Sequence, residues 1–476
     1  MSIARRMLAG TAAASAAVLL ALSPSLAGAA LPVPLPTVEG PIPAVTPGDP
    51  SRNYPFIATS IDLAARGYVE EEFFISGTAC RYSGFGLATG TIRDCGFPYK
   101  TRIIVRRPVS AKAFNGTVLA EWQNVTAQYD IDHYWLESSE HIMREGYVWV
   151  GVSAQRLGIQ PNVGANPLLF PNVLRNWSPL RYGTLDVTAG GALPNFDEIS
   201  FDIFSQAVKA LRAPAGTGPL GPLAPEVVIA LGTSQSGVRL GAYHNSIWPL
   251  YEPVVDAFFI GEALGALRTD LPVPVLRLLS EVDVNPGFAP ADAPNYRQWE
   301  VAGASHADAG FTDNIQPLLD RDGAFRTPTN CIRPAPSRIP KRYVYNAAWN
   351  HMDAWVRAGT LPPVAPRITY AGATIARDAF GNALGGIRLS EHAVATAENS
   401  ATNDRADASP GSAFCRLFGT HVPFTREQLA ALYRNHGQYV SQVARVNAAN
   451  VRAGFLLQAD SQESTGSAAA STVGKK

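Results

Sequence analysis

The chain has 476 residues, 46% of them hydrophobic, with 39 basic and 39 acidic side chains and a formal net charge of zero. That length and apolar content can bury a large core in about one to three domains. The balanced charge, without a dense Lys/Arg block, argues against a nucleic-acid binder, and a single long apolar run argues against an array of membrane spans.

Arg5 and Arg6, the small and apolar run Met7 to Leu22, Pro24 and Ala27-Gly28-Ala29 read as a secretory signal peptide over 1–29, with an uncleaved anchor helix as the alternative. A secreted or envelope-associated chain with no stable transmembrane anchor is therefore expected. An extended Pro-rich leader is expected over 30–53. The four cysteines agree with export, because oxidising compartments favour pairing. Of the three pairings that four thiols allow, Cys80 with Cys95 and Cys331 with Cys415 is expected. In the chain-entropy model the short loop contributes about 3 kcal/mol and the long one about 4.5 kcal/mol.

Strand patterns follow at Tyr68 to Ser76, Lys100 to Arg106 and Thr117 to Glu121, the first two suiting an antiparallel start with turns at Gly84 to Gly90. A polar and aromatic loop, Trp122 to Asp132, leads into a helix over Tyr134 to Arg144 that Gly146 stops, and then into a buried-type strand, Tyr147 to Val152. Arg156 to Asn195 is crowded with Gly, Pro and Asn and reads as a long insertion; helical spacing returns over Phe201 to Leu211. Strands are predicted from Val227, at Ala257 to Ile260, Val273 to Leu279 and Arg297 to Val301, with a helix from Ser236 to about Asn245. Such alternation predicts an α/β fold with a mostly parallel central sheet flanked by helices. A core over 54–310 is expected, then an extension over 311–460 packed on it, with helices at Arg342 to Ala358 and Thr425 to Ala453. The Ser/Ala-rich stretch 461–476 is expected to be disordered.

The chemistry centres on Gly232-Thr233-Ser234-Gln235-Ser236-Gly237, between a branched apolar run and a helical pattern. A serine at the apex of a strand-to-helix turn stands above the sheet, and small residues two before and two after it are what the tight backbone tolerates. Ser236 stands where glycine is usual, with Gly237 next. A serine hydroxyl needs a base held by a carboxylate, and parallel sheets place catalytic groups at the carboxyl ends of their strands. There the chain offers Glu281 and Asp283, then His306, in the order expected for a nucleophile-elbow hydrolase. Asp283 is the first choice for the acid and Glu281 the second. Oxyanion donors are expected from the N–H of Gln235 and from the loop at Asn124 or Val125.

His351 and Asp353, two apart on a predicted helix, face different ways; His133 and His141 lack a third ligand at metal spacing, and His244 reads as a packing or capping residue after the helix that follows Ser234. No cofactor or metal is expected, and no HExxH, P-loop or dinucleotide fingerprint occurs. The segments Tyr68–Ala79, Glu121–Val125, Gly232–Gly237, Val301–Asp308 and Gly381–Arg388 resemble those of the alpha/beta hydrolase domain-containing proteins with a GxSQSG elbow. The resemblance runs from about Tyr54 to the last helix. It implies an alpha/beta-hydrolase fold and a secreted serine hydrolase of esterase type acting on a small-molecule or lipid ester, with Ser234, His306 and the Glu281/Asp283 pair in the matching places. An acyltransferase or peptidase using the same residues, or a non-catalytic binding module on this fold, are the competing readings.

Overall fold

The computed structural model describes residues 30–162, 164–193, 197–213, 216–324 and 329–475, so the expected signal peptide over 1–29 lies outside the described residues. Nine strands form one sheet: β1 (Thr37–Glu39), β2 (Tyr68–Ser83), β3 (Thr91–Pro108), β4 (Thr117–Trp122), β5 (Val148–Val152), β6 (Val227–Thr233), β7 (Ala257–Gly261), β8 (Val275–Ser280) and β9 (Tyr296–Val301), in the order β1-β2-β3-β5-β4-β6-β7-β8-β9. Strands β5 to β9 in that order pair in parallel, whereas β1, β2 and β3 join antiparallel. The expected leader thus contributes an edge strand, and Cys80 faces Cys95 across the β2–β3 hairpin, where they form a disulfide; Cys331 and Cys415 form the second.

The central strands are apolar on both faces because helices cover both. Val228, Ala230, Phe258 and Ile260 point to one side, where they pack with α2 (Ser200–Leu211). Ile229, Leu231, Phe259 and Leu276 point to the other, against α1 (His133–Arg144) and a helix at Arg342–Ala358. Between these lie α3 (Ser234–Ala242) and α4 (Ala309–Arg321); Arg342–Ala358 is α5. Since Val344, Ala347, Ala348 and Met352 of α5 share a cluster with the sheet, packing does not break at residue 310 where the core was expected to end. Within the expected insertion, the short helical turns Leu174–Trp177 and Pro179–Tyr182 bury Trp177 and Tyr182 in the core on the α2 side.

Two expectations in the C-terminal part are corrected. The helix expected over Thr425 to Ala453 is two, Arg426–Leu432 and α6 (His436–Ala453), with Asn435 capping the second. The stretch 461–476, expected to be disordered, is helical as far as Ala470 within α7 (Gln458–Ala470). Its small residues supply close approach instead of apolar area: Ser461, Ser464 and Ala468 form a buried stripe, Ala468 packs with Tyr439 and Val443, and the Ser464 hydroxyl donates to Glu391 at 2.7 Å. At the far margin of the sheet, β9 is bridged by Ile387, whose N–H donates to Glu300 O at 2.7 Å.

Candidate active site

Seven buried residues of β6 end at Thr233, and the chain turns into α3 at once. Ser234 sits at the turn with φ 54°, the left-handed region that costs a non-glycine residue about 1–3 kcal/mol and recurs at functional sites. A side chain at Gly232 would meet Ser236 O at 2.9 Å, and one at Gly237 would meet Ala263 Cβ at 2.8 Å, so the sheet and α3 close on both glycines. Ser236 is 0% exposed, accepts from Thr233 N–H at 3.1 Å and donates to Thr233 O at 2.9 Å. A serine therefore fits where glycine is usual because its hydroxyl is bonded within the turn.

Strands β6, β8 and β9 run parallel, so the turns that follow them leave the same edge of the sheet. Glu281 to Asp283 form a tight helical turn after β8, and His306 lies in the loop after β9. His306 Nδ1 is 3.0 Å from both carboxylate oxygens of Asp283, and the Ser280 hydroxyl donates to the same carboxylate. Glu281 turns elsewhere: Oε2 accepts from Gly303 N–H at 2.7 Å, and Oε1 pairs with Arg377 Nη2 at 2.8 Å. Of the two carboxylates left open by sequence, Asp283 faces the histidine and Glu281 holds its loop.

With Nδ1–H donated to Asp283, the imidazole keeps a lone pair on Nε2, the arrangement a general base needs. Gln235 occupies the first turn of α3, where backbone N–H groups lack intrahelical partners. The Asn124 side chain donates from Nδ2 to Thr233 O at 3.0 Å, so its amide ties the 123–132 loop to the turn that bears Ser234. Asp130 and Asp132 anchor that loop to Arg102 and Arg106 of β3, at 3.3 and 2.7 Å.

Beneath these groups lie charges the sequence reasoning missed. Lys341 is 0% exposed; its Nζ donates to His306 O at 2.7 Å and pairs with Glu262 Oε1 at 3.4 Å. Glu262 accepts from Thr233 Oγ1 at 2.8 Å and from Tyr345 OH at 2.6 Å. Burial pulls the Lys341 pKa down, but the negative charges of Glu262, Glu137 and Asp308 more than offset it and hold the ammonium above its ordinary value. Burial, and then Asp308, push the Glu137 carboxyl well up, and burial raises Asp308. His133 is held well below the usual imidazole range by burial and then by the Lys341 ammonium. Signals for two of these existed. Glu262 follows the carboxyl end of β7, and Lys341 places a cation at a helix N-terminus, where the dipole disfavours it.

The other histidines have local partners: His141 with Arg144, His244 with Asn245 and His351 with Gly454 O, while Asp353 pairs with Arg357. Among the described residues no group of three or more His, Cys, Asp or Glu could hold a metal ion, and no helix is long and apolar enough to cross a membrane.

A protein family described as an alpha/beta hydrolase domain matches residues 38–465. No curated protein matches the chain. Solved structures similar to it include an α/β serine hydrolase without a lid from Xanthomonas campestris, with 13% identity, 52% of this chain and 91% of that one covered, and a TM-score of 0.27. A cold-adapted esterase from an Arctic intertidal metagenomic library has 14% identity, 48% and 84% coverage and a TM-score of 0.25. A glucuronoyl esterase from Solibacter usitatus has 12% identity, 54% and 70% coverage and a TM-score of 0.23. Nothing about the chemistry of this chain follows from likeness at that level.

Proposed function

Because the chain belongs to the alpha/beta hydrolase domain family, we propose that it is an exported serine hydrolase that cleaves carboxylic esters through an acyl-enzyme. The observation that carries the reading is the hydrogen-bonded His306–Asp283 pair on the same sheet edge as a serine in a left-handed turn. Ser234 Oγ attacks the ester carbonyl carbon while His306 Nε2 takes the hydroxyl proton. The bond to the alcohol oxygen then breaks, and His306 returns the proton to the departing alcohol. A water deprotonated by His306 attacks the acyl-serine, releasing the acid and restoring the hydroxyl. Asp283 orients the imidazole and offsets the charge that forms on it. The backbone N–H groups of Gln235 and of Asn124 or Val125 receive the oxyanion, and each such donor lowers the barrier by about 3–4 kcal/mol. Export is supported by the reading of residues 1–29 and by the two disulfides.

The test is labelling with a fluorophosphonate probe together with hydrolysis of short p-nitrophenyl esters. The native chain should label and turn over, and Ser234→Ala should do neither. A folded native chain that neither labels nor hydrolyses any ester overturns the proposal. Product analysis with an added alcohol or amine separates hydrolysis from acyl transfer.

A further inference from the structure

The triad residues lie on turns that follow different strands, with β7 between the nucleophile strand and the two that carry acid and base. Among the described residues, no hydrogen bond of the Ser280-Asp283-His306 set reaches the nucleophile turn. The connection runs underneath. From Thr233 Oγ1 it passes to Glu262 at 2.8 Å, from Glu262 to Lys341 Nζ at 3.4 Å, and from Lys341 to His306 O at 2.7 Å. Thr233 is extended and immediately precedes Ser234, whose φ is 54°, and Glu262 follows β7 with φ 45°, so one end of this hydrogen-bonded link is a left-handed residue and the other adjoins one.

A fully buried ammonium is costly, and a well-packed apolar side chain of similar volume is often the more stable choice. Here the ammonium also stands at the N-cap of α5, the wrong end of that helix for a cation, and is followed by Arg342. Its position is therefore not the one packing or helix electrostatics would select. What it does contact is the backbone of the proposed base and, through Glu262, the residue before the proposed nucleophile. Tyr345 of α5 donates from its hydroxyl to the same Glu262 oxygen, Oε1, at 2.6 Å, leaving Oε2 to Thr233. Asp308 Oδ2 accepts from Lys341 N–H at 3.2 Å and fixes the root of the lysine two residues beyond His306.

We infer that Lys341 and Glu262 are positioning residues that clamp the turn bearing Ser234 to the loop bearing His306. The clamp touches no substrate; it holds the distance and angle between nucleophile and base. This rests on the serine-hydrolase reading of the site. Because misplacement by about 1 Å can cost on the order of a hundredfold in rate, loosening the clamp lowers kcat and leaves KM nearly as it was.

The experiment uses the full chain and short p-nitrophenyl esters, with circular dichroism and thermal unfolding to establish the folded fraction. Lys341→Met alone leaves buried carboxylates unpaired and can fail to fold, so it is made together with Glu262→Gln, which removes both charges. Thr233→Val deletes one hydroxyl with little change of shape, and Thr233→Ser retains it. The double variant and Thr233→Val should each lose roughly 10- to 100-fold in kcat per folded molecule, with KM within about twofold, and Thr233→Ser should recover most of that loss. Native-like kcat in folded Thr233→Val and in the folded double variant overturns the clamp while leaving the triad reading intact. An equal loss in Thr233→Ser and Thr233→Val also overturns it, because the hydroxyl would then not be the link. A folded native chain that shows no labelling and no ester turnover overturns the parent reading, and the clamp falls with it.

Discussion

Exchanging each carboxylate after β8 for its amide separates two roles that differ by one side-chain direction. In Asp283→Asn the amide must meet two donors, the Ser280 hydroxyl and the imidazole Nδ1–H, which now contact an acceptor-only carboxylate. An amide has one acceptor oxygen, so its NH2 faces one of them. When it faces the ring, Nδ1 must accept, the proton moves to Nε2, and the base loses the lone pair that would take the Ser234 proton. A loss of roughly 10³- to 10⁴-fold in kcat is expected, which at about 1.4 kcal/mol per tenfold is about 4–5.5 kcal/mol of barrier. Glu281→Gln is gentler. Its carbonyl can still accept from Gly303 N–H, and the pair it loses is with Arg377, whose side chain is 38% exposed. Glu281 itself is 1% exposed, but the amide of Glu281→Gln needs no countercharge and the Arg377 head reaches solvent when the pair is lost, so the cost is about 1 kcal/mol and activity should fall no more than about fivefold. Both variants are compared with the native chain on p-nitrophenyl butyrate, with rates taken per folded molecule. If Asp283→Asn stays within tenfold of native, or if Glu281→Gln loses as much as Asp283→Asn, the assignment of the orienting acid is refuted.

Two other outcomes are expected. Ser236→Ala removes two hydrogen bonds inside the nucleophile turn, so it should destabilise the fold by about 1–2 kcal/mol yet still label with fluorophosphonate, which gel fluorescence and a thermal-unfolding scan can check together. Burial in the β2–α2 contact pushes the Asp202 carboxyl up to about 6, against the hydrogen bonds from Tyr82 OH and Cys80 N–H. A carboxyl whose folded pKa is raised binds more protons in the folded than in the unfolded state between about pH 4 and 6. Its contribution to stability is therefore most favourable below pH 4 and declines by on the order of 3 kcal/mol as the pH rises through 6. Thermal midpoints of the native chain and Asp202→Asn should draw together or cross in the variant's favour over that interval; parallel curves from pH 4 to 7 would contradict the reasoning.

Much of the central sheet was legible because its strands are short apolar runs separated by helical spacing, and that pattern follows from burial on both faces. The placement of Ser234 and His306 at one edge of the sheet was legible because parallel strands all send the turns that follow them to the same side. The choice between Glu281 and Asp283 was not. They are two residues apart on a tight helical turn, and only the turn sends one carboxylate to the imidazole and the other to Gly303. Lys341 gave only a faint signal: it stands just before the amphipathic helix Arg342–Ala358, where beside Arg342 it reads as a solvated cation. The helix Gln458–Ala470 was missed because composition measures apolar area, whereas Ser461, Ser464 and Ala468 work by being small.

The margins of the sheet bear on how the molecule behaves in company. A strand edge with free N–H and C=O groups is a template on which another chain can add. At one margin β1 offers only the three residues Thr37–Glu39, and at the other Ile387 already occupies the outer side of β9 through bonds to Glu300 and Ala302. Both margins of the nine-stranded sheet are thus partly covered, Phe74–Ser76 of β2 by β1 and the end of β9 by Ile387, which shortens the backbone edge that another strand could use.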